Sequence, residues 1–424
     1  MENIYLALYN SILLFILVIA FPFVWRRIKP DKKFPGDWKE RFGVYNREVC
    51  VRMKQSKNVW IHTVSIGEFL SVNPLIKELQ KENNVVVTLA TKTGRGVAEE
   101  KFPDTTHLFF PADFYPIMMK AVNRINPKLI IIVETEIWPS LLKIAYDKKI
   151  PVALINGRIS PSSYPKYKKM RFFVGKFLRF FSVITMRNQE EAVRIMDMGA
   201  LKEKIKVVGS MKFDLAYDMS KQINPSKIRE QYKISSNKKV VVFGSLHPAE
   251  EEGVVEVVEK LLNRFKDILI IIVPRYLDKT DIYKLLSNKK IKYMRKSSFM
   301  ADEEFSVLIV DTYGELNNFY SVCDMAFVGA SLNPWGGQNP IEPISFKKPV
   351  VYGKYNWHFL EEWRLIKEGG GGIEVDSFVS LYDQLVKLIE NPSLASEIGE
   401  KGYNTLLENM GATERNLKVL SRFL

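Results

Sequence analysis

The chain has 424 residues, of which 46% are apolar and 26% are charged, a composition that excludes an intrinsically disordered polymer and predicts two globular domains. Lys and Arg outnumber Asp and Glu by 62 to 48, and the net charge of +14 favours an anionic partner: nucleic acid, an acidic membrane surface or a phosphorylated substrate. The two cysteines are too few for a disulfide framework and favour an intracellular location, and the four widely separated histidines indicate no zinc site.

The first predicted element is an uncharged, mostly apolar run from Ile4 to Trp25, about the length of a helix that crosses a bilayer. Arg26, Arg27 and Lys29 follow it, and this basic flank places the rest of the chain on the cytoplasmic side. A cleaved signal peptide and an interfacial helix are the alternatives, but the run has no basic residue before it and no small-residue cleavage site after it. We therefore predict a single-pass membrane anchor over residues 1–29.

Short β-rich runs then alternate with stretches long enough for helices, which predicts parallel sheets covered by helices on both faces. The alternation stops in a polar stretch from Asp214 to Lys239 and then resumes. We therefore predict two Rossmann-like α/β domains, over residues 30–215 and 216–424, joined by a linker and separated by a cleft. Ligands of such sheets bind beyond the carboxyl ends of the strands, so the functional candidates are residues that directly follow β-rich runs.

Carboxylates follow two of the β-rich runs in the first predicted domain. Glu68 comes after VWIHTVS, with Gly67 before it, at a strand-to-helix turn where an ionised carboxylate suits a general base. A first-turn acid that only stabilises the helix dipole is the alternative. Glu134 and Glu136 in ETEIWPS follow the apolar run LIIIV, where they either face the cleft or pair with a neighbouring cation.

Groups suited to a phosphate also occur at predicted strand ends. Lys212 in GSMKFD follows the last β-rich run of the first domain, and Arg275 in VPRY ends a buried run of the second. Gly314 and Glu315 in DTYGEL come at the start of a predicted helix, whose free N–H groups can hold a phosphate. Each signal is weak alone because Lys and Arg are common on protein surfaces.

The segment SLNPWGGQNPIEP, Ser331 to Pro343, combines paired glycines with three prolines and predicts an irregular backbone. Asn339 and Glu342 are then presented at the start of the next helix. A carboxylate there can accept hydrogen bonds from two sugar hydroxyls, and the glycines leave room for the ligand. A purely structural turn is the alternative.

A basic and aromatic segment, Ser162 to Phe181, interleaves Lys and Arg with Tyr and Phe. This pattern suits a membrane surface or an anionic lipid, and it also suits single-stranded nucleic acid. An amphipathic core helix with a solvated basic face is the third interpretation. The predicted anchor favours lipid. The absence of Asp-x-Asp, Walker A and Gly-x-Gly-x-x-Gly motifs is compatible with a metal-free nucleotide-sugar enzyme and gives no support to a P-loop enzyme or a Rossmann dehydrogenase.

Eight motifs in this order along the chain resemble those of the Kdo transferases, the membrane-associated enzymes that move 3-deoxy-D-manno-oct-2-ulosonic acid (Kdo) from CMP-Kdo to lipid A precursors. The motifs are HTVSIGE, TKTGRG, ETEIWPSL, NGRIS, GSMKFD, VPR, DTYGEL and GGQNPIEP. The resemblance implies the glycosyltransferase-B architecture, with the acceptor bound by the first domain and the donor by the second. It implies an inverting transfer to lipid IVA at the inner membrane, without a metal or other cofactor, with anionic membrane lipids and no nucleic acid as further partners.

The resemblance also implies roles for the candidate residues. Glu68 matches the catalytic base of the family, and either Glu134 or Glu136 matches a second glutamate needed for activity. The residues expected to contact the CMP part of the donor are Lys212, Arg275, Gly314, Glu315, Asn339 and Glu342.

The chain departs from the family pattern at Tyr276 and Gln338, where the family commonly has histidine, and at Tyr313, where it often has a smaller residue. Tyr and Gln form hydrogen bonds but carry no proton charge near neutral pH, so we expect donor contacts there and no acid catalysis. Two alternatives remain open. One is a UDP-sugar transferase or nucleotide-sugar epimerase with the same architecture, and the other is a membrane-tethered basic binding protein without chemistry.

Overall fold

The computed structural model describes residues 2–27, 37–300 and 303–424, so Lys29 of the predicted basic flank lies outside the described residues. The chain forms two compact units. The first comprises Met1–Leu215 together with Gly411–Leu424, and the second comprises Ala216–Met410.

Within the described residues, the first unit is built on a seven-stranded parallel sheet with the order β3-β2-β1-β4-β5-β6-β7. Its strands are β1 (Asn58–Thr63), β2 (Asn84–Leu89), β3 (Thr106–Phe109), β4 (Pro127–Val133), β5 (Val152–Gly157), β6 (Val183–Met186) and β7 (Ile205–Val207). Its helices are α1 (Glu2–Arg27), α2 (Asp37–Arg41), α3 (Arg47–Lys54), α4 (Ile66–Ser71), α5 (Asn73–Gln80), α6 (Lys92–Lys101), α7 (Tyr115–Ile125), α8 (Pro139–Asp147), α9 (Tyr164–Lys169), α10 (Arg171–Leu178), α11 (Gln189–Asp197) and α12 (Met211–Gln222), which continues into the second unit.

The second unit has a parallel sheet of the same size, in the order β10-β11-β9-β8-β12-β13-β14. Its strands are β8 (Lys239–Leu246), β9 (Ile268–Pro274), β10 (Tyr293–Arg295), β11 (Val307–Ile309), β12 (Met325–Val328), β13 (Val350–Gly353) and β14 (Gly372–Val375). Its helices are α13 (Pro225–Gln231), α14 (Glu251–Arg264), α15 (Ile282–Asn288), α16 (Leu316–Val322), α17 (Ile341–Ile344), α18 (Leu360–Glu368), α19 (Phe378–Glu390) and α20 (Pro392–Asn409). Short 3₁₀ helices span Lys202–Lys204, Pro248–Glu250, Lys296–Ser298, Trp357–Phe359 and Ser421–Phe423.

Apolar runs form the central strands because both faces of each sheet are covered. In β4, Ile130 and Ile132 pack into one apolar cluster, while Leu129 and Ile131 pack into the cluster on the opposite face. Side chains alternate across a strand, so a run that is buried on both faces is apolar at every position. The prediction of parallel α/β sheets is therefore confirmed.

The last helix, α21 (Ala412–Leu420), belongs to the first unit, so the prediction that residues 216–424 form one domain is wrong at its C-terminal end. Ala412 and Leu420 are fully buried in the same cluster as Leu75. Both Asp214 carboxylate oxygens accept backbone N–H groups at the start of this segment, from Gly411 at 2.7 Å and from Thr413 at 2.6 Å. The amphipathic pattern of a helix predicts a buried face but not which sheet that face will cover.

The predicted membrane anchor is not supported. Helix α1 covers the stretch, but in the described part of the chain no helix combines the length and the apolarity needed to cross a bilayer. Its first turns pack on the first unit: Leu6 is 8% exposed in the core cluster, and the rings of Tyr5 and Tyr9 lie 6.2 and 6.3 Å from that of Phe173. A count of apolar residues did not predict this packing.

The strand order reverses between β1 and β4 in the first sheet and between β8 and β12 in the second, and these are the places where doubly wound sheets bind ligands. Three residues at or just beyond these strands have left-handed backbones: Glu134 (φ 59°), Ser245 (φ 52°) and Ala330 (φ 58°). Such conformations are sparsely populated for residues with side chains and occur preferentially at functional sites.

Candidate active site

Glu68 lies in the first turn of α4, directly beyond β1, and takes part in the capping of that helix. The Ser65 hydroxyl accepts the Glu68 N–H at 3.2 Å and donates to Glu68 Oε1 at 3.1 Å. Glu68 Oε2 accepts the Val64 N–H at 2.7 Å. This arrangement resembles a capping box, so Glu68 does stabilise the start of α4, as the structural interpretation predicted. The same hydrogen bonds also hold the carboxylate in one orientation.

The protonation of Glu68 differs from the expectation drawn from its helix position. Burial raises the pKa of Glu68 above its ordinary value; the hydrogen bond from Val64 lowers it, and the negative charge of Glu134 raises it again. A helix N-terminus alone favours the ionised form. Here the loss of water outweighs that preference, so Glu68 holds a proton more readily than a free glutamate does.

Glu136 completes a cluster of three carboxylates, which we call the carboxylate cluster: Glu68, Glu134 and Glu136. Burial, followed by the charges of Glu68 and Glu134, raises the pKa of Glu136 from 4.5 to about 7. No positive charge among the described residues is among the causes of that shift, so the alternative that Glu136 pairs with a cation receives no support. Glu136 can therefore hold or release a proton near neutral pH, as general acid–base chemistry requires.

Glu134 contributes to the cluster from a strained position at the end of β4. Its backbone is left-handed, with φ of 59°, and its N–H donates to the Ile155 carbonyl on the neighbouring strand at 2.9 Å. The sheet therefore anchors the start of the ETEIWPS segment. Glu136 follows two residues later, before Pro139 begins α8.

The basic and aromatic segment folds as α9 and α10 next to this cluster. The pKa of Tyr167 is raised by burial and by the charge of Glu136, which places α9 close to the carboxylates. Val174, Phe177 and Leu178 are buried, as expected for an amphipathic helix. The same segment also exposes Phe172 to 66%, beside the exposed basic side chains Lys166, Lys168, Lys169 and Arg171. A solvated basic face alone does not account for the exposed aromatic ring.

In the second unit, Asn339, Glu342 and Arg275 come together beyond β9 and β12. The Asn339 side-chain amide donates to Glu342 Oε1 at 3.0 Å. Burial raises the pKa of Glu342, while that hydrogen bond and the charge of Arg275 lower it. Arg275 itself is exposed and follows directly after β9. One cation, one amide and one carboxylate at a single sheet edge match the groups predicted for a phosphate and its sugar.

The predicted site at Gly314 and Glu315 is only partly available to a ligand. Gly314 has φ of 86° and open space where a Cβ would lie. The Glu315 carboxylate forms an ion pair with Lys296 at 2.6 Å and accepts the Thr312 hydroxyl. The side chain of Glu315 is therefore engaged in structure, and backbone N–H groups are what this turn can offer. Its role in donor binding stays a prediction.

Lys212 lies in the first turn of α12 and is half-buried. It belongs to the first unit, whereas Arg275, Asn339 and Glu342 belong to the second. Its expected contact with the donor phosphate stays a prediction.

Glu250 is a buried residue that sequence reasoning missed. Its side chain is 0% exposed and accepts the backbone N–H groups of Ala330 at 2.5 Å, Ser331 at 2.9 Å and Leu332 at 2.8 Å. These bonds hold the start of the segment that carries Asn339 and Glu342. A signal was present, because Glu250 follows the β-rich run KVVVFGS much as Glu68 follows β1.

Aromatic side chains surround this segment. The ring of Trp335 stacks on His247 at 4.1 Å, and Tyr276 meets His247 edge-on at 5.7 Å. The hydroxyl of Tyr313 accepts the Leu277 N–H at 3.3 Å. Tyr276 and Tyr313 therefore lie at the same sheet edge as Arg275, while the expected donor contacts of Tyr276 and Gln338 stay predictions. Gly336 and Gly337 have φ of 86° and 73°, which confirms the predicted irregular backbone.

Known proteins resemble the chain in sequence and in fold. Residues 36–215 match the family model described as 3-deoxy-D-manno-octulosonic-acid transferase (kdotransferase). The chain is 29% identical over 423 residues to the 3-deoxy-D-manno-octulosonic acid transferase of Haemophilus influenzae, with 98% of both chains covered. It is 28% identical over 334 residues to the protein of the same name from Aquifex aeolicus, covering 78% of this chain and 86% of that one.

Solved structures share the fold at lower identity. The UDP-GlcNAc 2-epimerase of Neisseria meningitidis superposes with a TM-score of 0.62 at 14% identity, covering 87% of this chain and 100% of that one. A glycosyltransferase of Rickettsia africae has a TM-score of 0.59 at 16% identity, covering 87% and 99%. At these identities the likeness shows the fold alone: two parallel-sheet α/β domains of the glycosyltransferase-B kind.

Proposed function

Because the chain belongs to the Kdo transferase family and is a glycosyltransferase, we propose that it transfers Kdo from CMP-Kdo to a hydroxyl of a lipid A precursor, lipid IVA, in lipopolysaccharide biosynthesis. The transfer inverts the configuration of the sugar and uses no metal. The observation that carries this proposal is the carboxylate cluster at the ends of β1 and β4, where burial and neighbouring negative charge raise the pKa of Glu68 and of Glu136.

In the proposed reaction the acceptor hydroxyl oxygen forms a bond to the anomeric carbon of Kdo. The bond from that carbon to the phosphate oxygen of CMP breaks, and CMP leaves with the bonding electrons. Glu68 takes the proton of the attacking hydroxyl, and its hydrogen bonds from Val64 and Ser65 hold it in place for this. A base whose pKa lies nearer to neutral accepts that proton more readily than an ordinary carboxylate.

Glu134 and Glu136 support Glu68 electrostatically. Their charges favour uptake of a proton by the cluster as a whole, since three ionised carboxylates in a partly buried site repel one another. A proton taken by Glu68 can be shared with Glu136, whose pKa of about 7 leaves it close to half-protonated at neutral pH. The raised pKa of Glu136 suits proton transfer.

The donor carries negative charge on the CMP phosphate and on the Kdo carboxylate. In the second unit, Arg275 supplies a positive charge, and Asn339 and Glu342 supply an amide and a carboxylate for the ribose hydroxyls. The backbone N–H groups near Gly314 and Glu315 add donors for the phosphate, and the contact of Lys212 with that phosphate stays a prediction. Tyr276 and Gln338 form hydrogen bonds to the donor and do not act as acids.

The acceptor is an anionic lipid, and the surface near the carboxylate cluster suits it. Exposed Lys and Arg side chains of α9 and α10 pair with phosphates, and Phe172 contacts apolar chains. Helix α1 exposes Ile4 to 71%, Leu8 to 56% and Phe15 to 66% beside this region. Through these side chains the protein binds peripherally to the cytoplasmic face of the inner membrane, and anionic lipids increase its affinity for that membrane.

The test is mass spectrometry of lipid IVA after incubation with CMP-Kdo and the purified protein. The proposal predicts one or more additions of the Kdo mass by the wild type and addition at least about a hundredfold slower by Glu68→Gln. A matched control is Glu78→Gln, which removes an exposed glutamate of the neighbouring helix α5. If lipid IVA gains mass only from a UDP-sugar, the donor class is wrong. If Glu68→Gln transfers at the wild-type rate, Glu68 is not the base.

A further inference from the structure

A chain of hydrogen bonds joins α1 to the segment that carries Glu136. The hydroxyl of Tyr9 donates to Asp113 Oδ2 at 3.0 Å. The same oxygen accepts the Ser140 N–H at 3.0 Å, and Asp113 Oδ1 accepts the Leu141 N–H at 2.9 Å. Asp113 is 5% exposed, so these bonds are shielded from water. Shielded bonds to a carboxylate are among the stronger contacts of a folded chain.

Asp113 acts as the N-terminal cap of α8, although it is distant in sequence. The residue before this helix, Trp138, makes no side-chain capping bond, and Pro139 follows it. Asp113 instead supplies acceptors to two N–H groups of the first turn, and its carbonyl accepts the Ser140 hydroxyl at 2.6 Å. The start of α8 is therefore fixed from outside the helix.

Asn10 provides a second link. Its Oδ1 accepts the Tyr115 N–H at 2.8 Å, at the first residue of α7, which also lacks a local side-chain cap. Its amide donates to the Ser140 hydroxyl at 3.4 Å. Two adjacent polar residues of α1 thus reach the starts of two helices. We call Tyr9, Asn10, Asp113 and Ser140 the α1 latch.

The latch adjoins the carboxylate cluster along the chain. Glu136 lies in the short connection between β4 and α8, and the sheet holds one end of this connection through the bond from Glu134 to Ile155. The latch holds the other end at Ser140 and Leu141. A shift of α8 therefore moves Glu136 relative to Glu68, and the coupling of their charges depends on that separation.

We propose that Tyr9, Asn10 and Asp113 are positioning residues for the transfer reaction. The docked first turns of α1 fix the start of α8 and thereby keep Glu136 beside Glu68 and Glu134. This inference rests on the proposed function, because it assigns the latch a role in that reaction. In this proposal helix α1 has two separate roles: its polar residues position Glu136, and its exposed apolar side chains contact the membrane.

The first test is hydrogen–deuterium exchange of the full chain, followed in peptides that cover residues 134–142. Tyr9→Phe deletes one hydroxyl, and Asp113→Asn replaces an oxygen acceptor with an amide. We expect both to accelerate exchange in these peptides, Asp113→Asn by roughly tenfold, as loss of a buried hydrogen bond implies. Tyr5→Phe is the matched control, because Tyr5 packs on Phe172 and Phe173 through its ring.

The second test is kinetic. Tyr9→Phe should lower kcat per folded molecule by about threefold to tenfold with KM for CMP-Kdo unchanged, since a misplaced group affects the reaction more than donor binding. The pH profile should shift as well, because Glu136 would lose part of its coupling to Glu68. Asn10→Asp keeps an acceptor for the Tyr115 N–H and should retain more activity than Asn10→Leu.

The outcomes separate this inference from the proposed function. Unchanged exchange in residues 134–142, or faster exchange with unchanged kcat and pH profile, would show that the latch is structural only. If Asp113→Asn does not fold, Tyr9→Phe still decides the question. A wild-type protein that adds no Kdo would count against the proposed function, while the exchange experiment, which needs no substrate, would still show whether α1 holds the segment.

Discussion

The carboxyl ends of the two sheets surround their glutamates with different neighbours. In the first unit, Glu68 and Glu136 have raised pKa values, and the charge of Glu134 contributes to both shifts. In the second unit, burial also raises the pKa of Glu250 and of Glu342, but hydrogen bonds from backbone N–H groups lower that of Glu250, and the Asn339 amide and the charge of Arg275 lower that of Glu342. At the same fold position, the carboxylates of the first unit therefore have like charges as neighbours, whereas those of the second unit have hydrogen-bond donors and a cation.

Replacement of the base should have the largest effect. Glu68→Gln keeps the size of the side chain and one oxygen that can accept the Val64 N–H, but it cannot accept the proton, so we expect kcat to fall by about 10²–10⁴-fold. CMP binding should be unchanged, because Glu68 is not among the residues proposed to contact the donor. Initial rates from mass spectrometry and CMP titration calorimetry check the two statements. A parallel loss of CMP affinity would break the division of roles between the units.

Glu250→Gln should weaken the buried hydrogen bonds that Glu250 makes to the backbone of residues 330–332. In Glu250→Gln the amide group cannot accept all the backbone N–H groups that the carboxylate accepts, so we expect a loss of about 2–4 kcal/mol in the free energy of unfolding. Urea unfolding measures it, and Glu252→Gln, an exposed neighbour in α14, is the control. The looser segment should also raise KM for the donor. Equal stabilities of the two variants would contradict this stabilising role of Glu250.

Arg275 tests the binding character of the second sheet edge. Arg275→Ala should weaken CMP binding by about tenfold to a hundredfold, the range expected for one charge-assisted contact to a phosphate. Arg275→Lys should fall in between, since it keeps the charge and loses the forked geometry. Calorimetry at two salt concentrations measures this. Arg264→Ala, which removes a surface ion pair with Glu390, should leave the affinity unchanged.

The pH dependence of stability gives the smallest expected effect. Glu136 has a folded pKa of about 7, raised from 4.5, so the folded protein binds more protons there than the unfolded chain does. Stability should therefore fall as the pH rises from about 4.5 to 7, by about 1–2 kcal/mol after allowance for solvent screening. Glu136→Gln should reduce this slope in urea unfolding at pH 5 and pH 8.

Some slope should remain in that variant, because burial also raises the pKa of Asp113 to about 7, with the same sign. A control is Glu408→Gln, which removes an exposed glutamate of α20 and should leave the slope unchanged. If Glu136→Gln behaves like this control, Glu136 is not coupled to its neighbours in the way described.

Much of the fold followed from local pattern. Apolar runs such as LIIIV predicted β4, and the Gly67–Glu68 turn predicted the start of a helix, because strand burial and helix capping depend on residues close together in sequence. The predicted anchor and the assignment of Gly411–Leu424 were wrong or unsupported for the opposite reason. Both depend on where a helix docks, which its own periodicity does not specify.

For the candidate site, too, some features follow from local sequence and others depend on the tertiary structure. The sequence by itself determined which residues follow strands, and therefore that Glu68, Glu136 and Arg275 lie at the carboxyl ends of parallel sheets. Only the tertiary structure decided that Glu136 meets Glu68, that Glu250 accepts the N–H groups of residues 330–332, and that Asp113 caps α8. Strand order brings together residues that are distant in sequence, and pKa values depend on burial and on the neighbours that this order supplies.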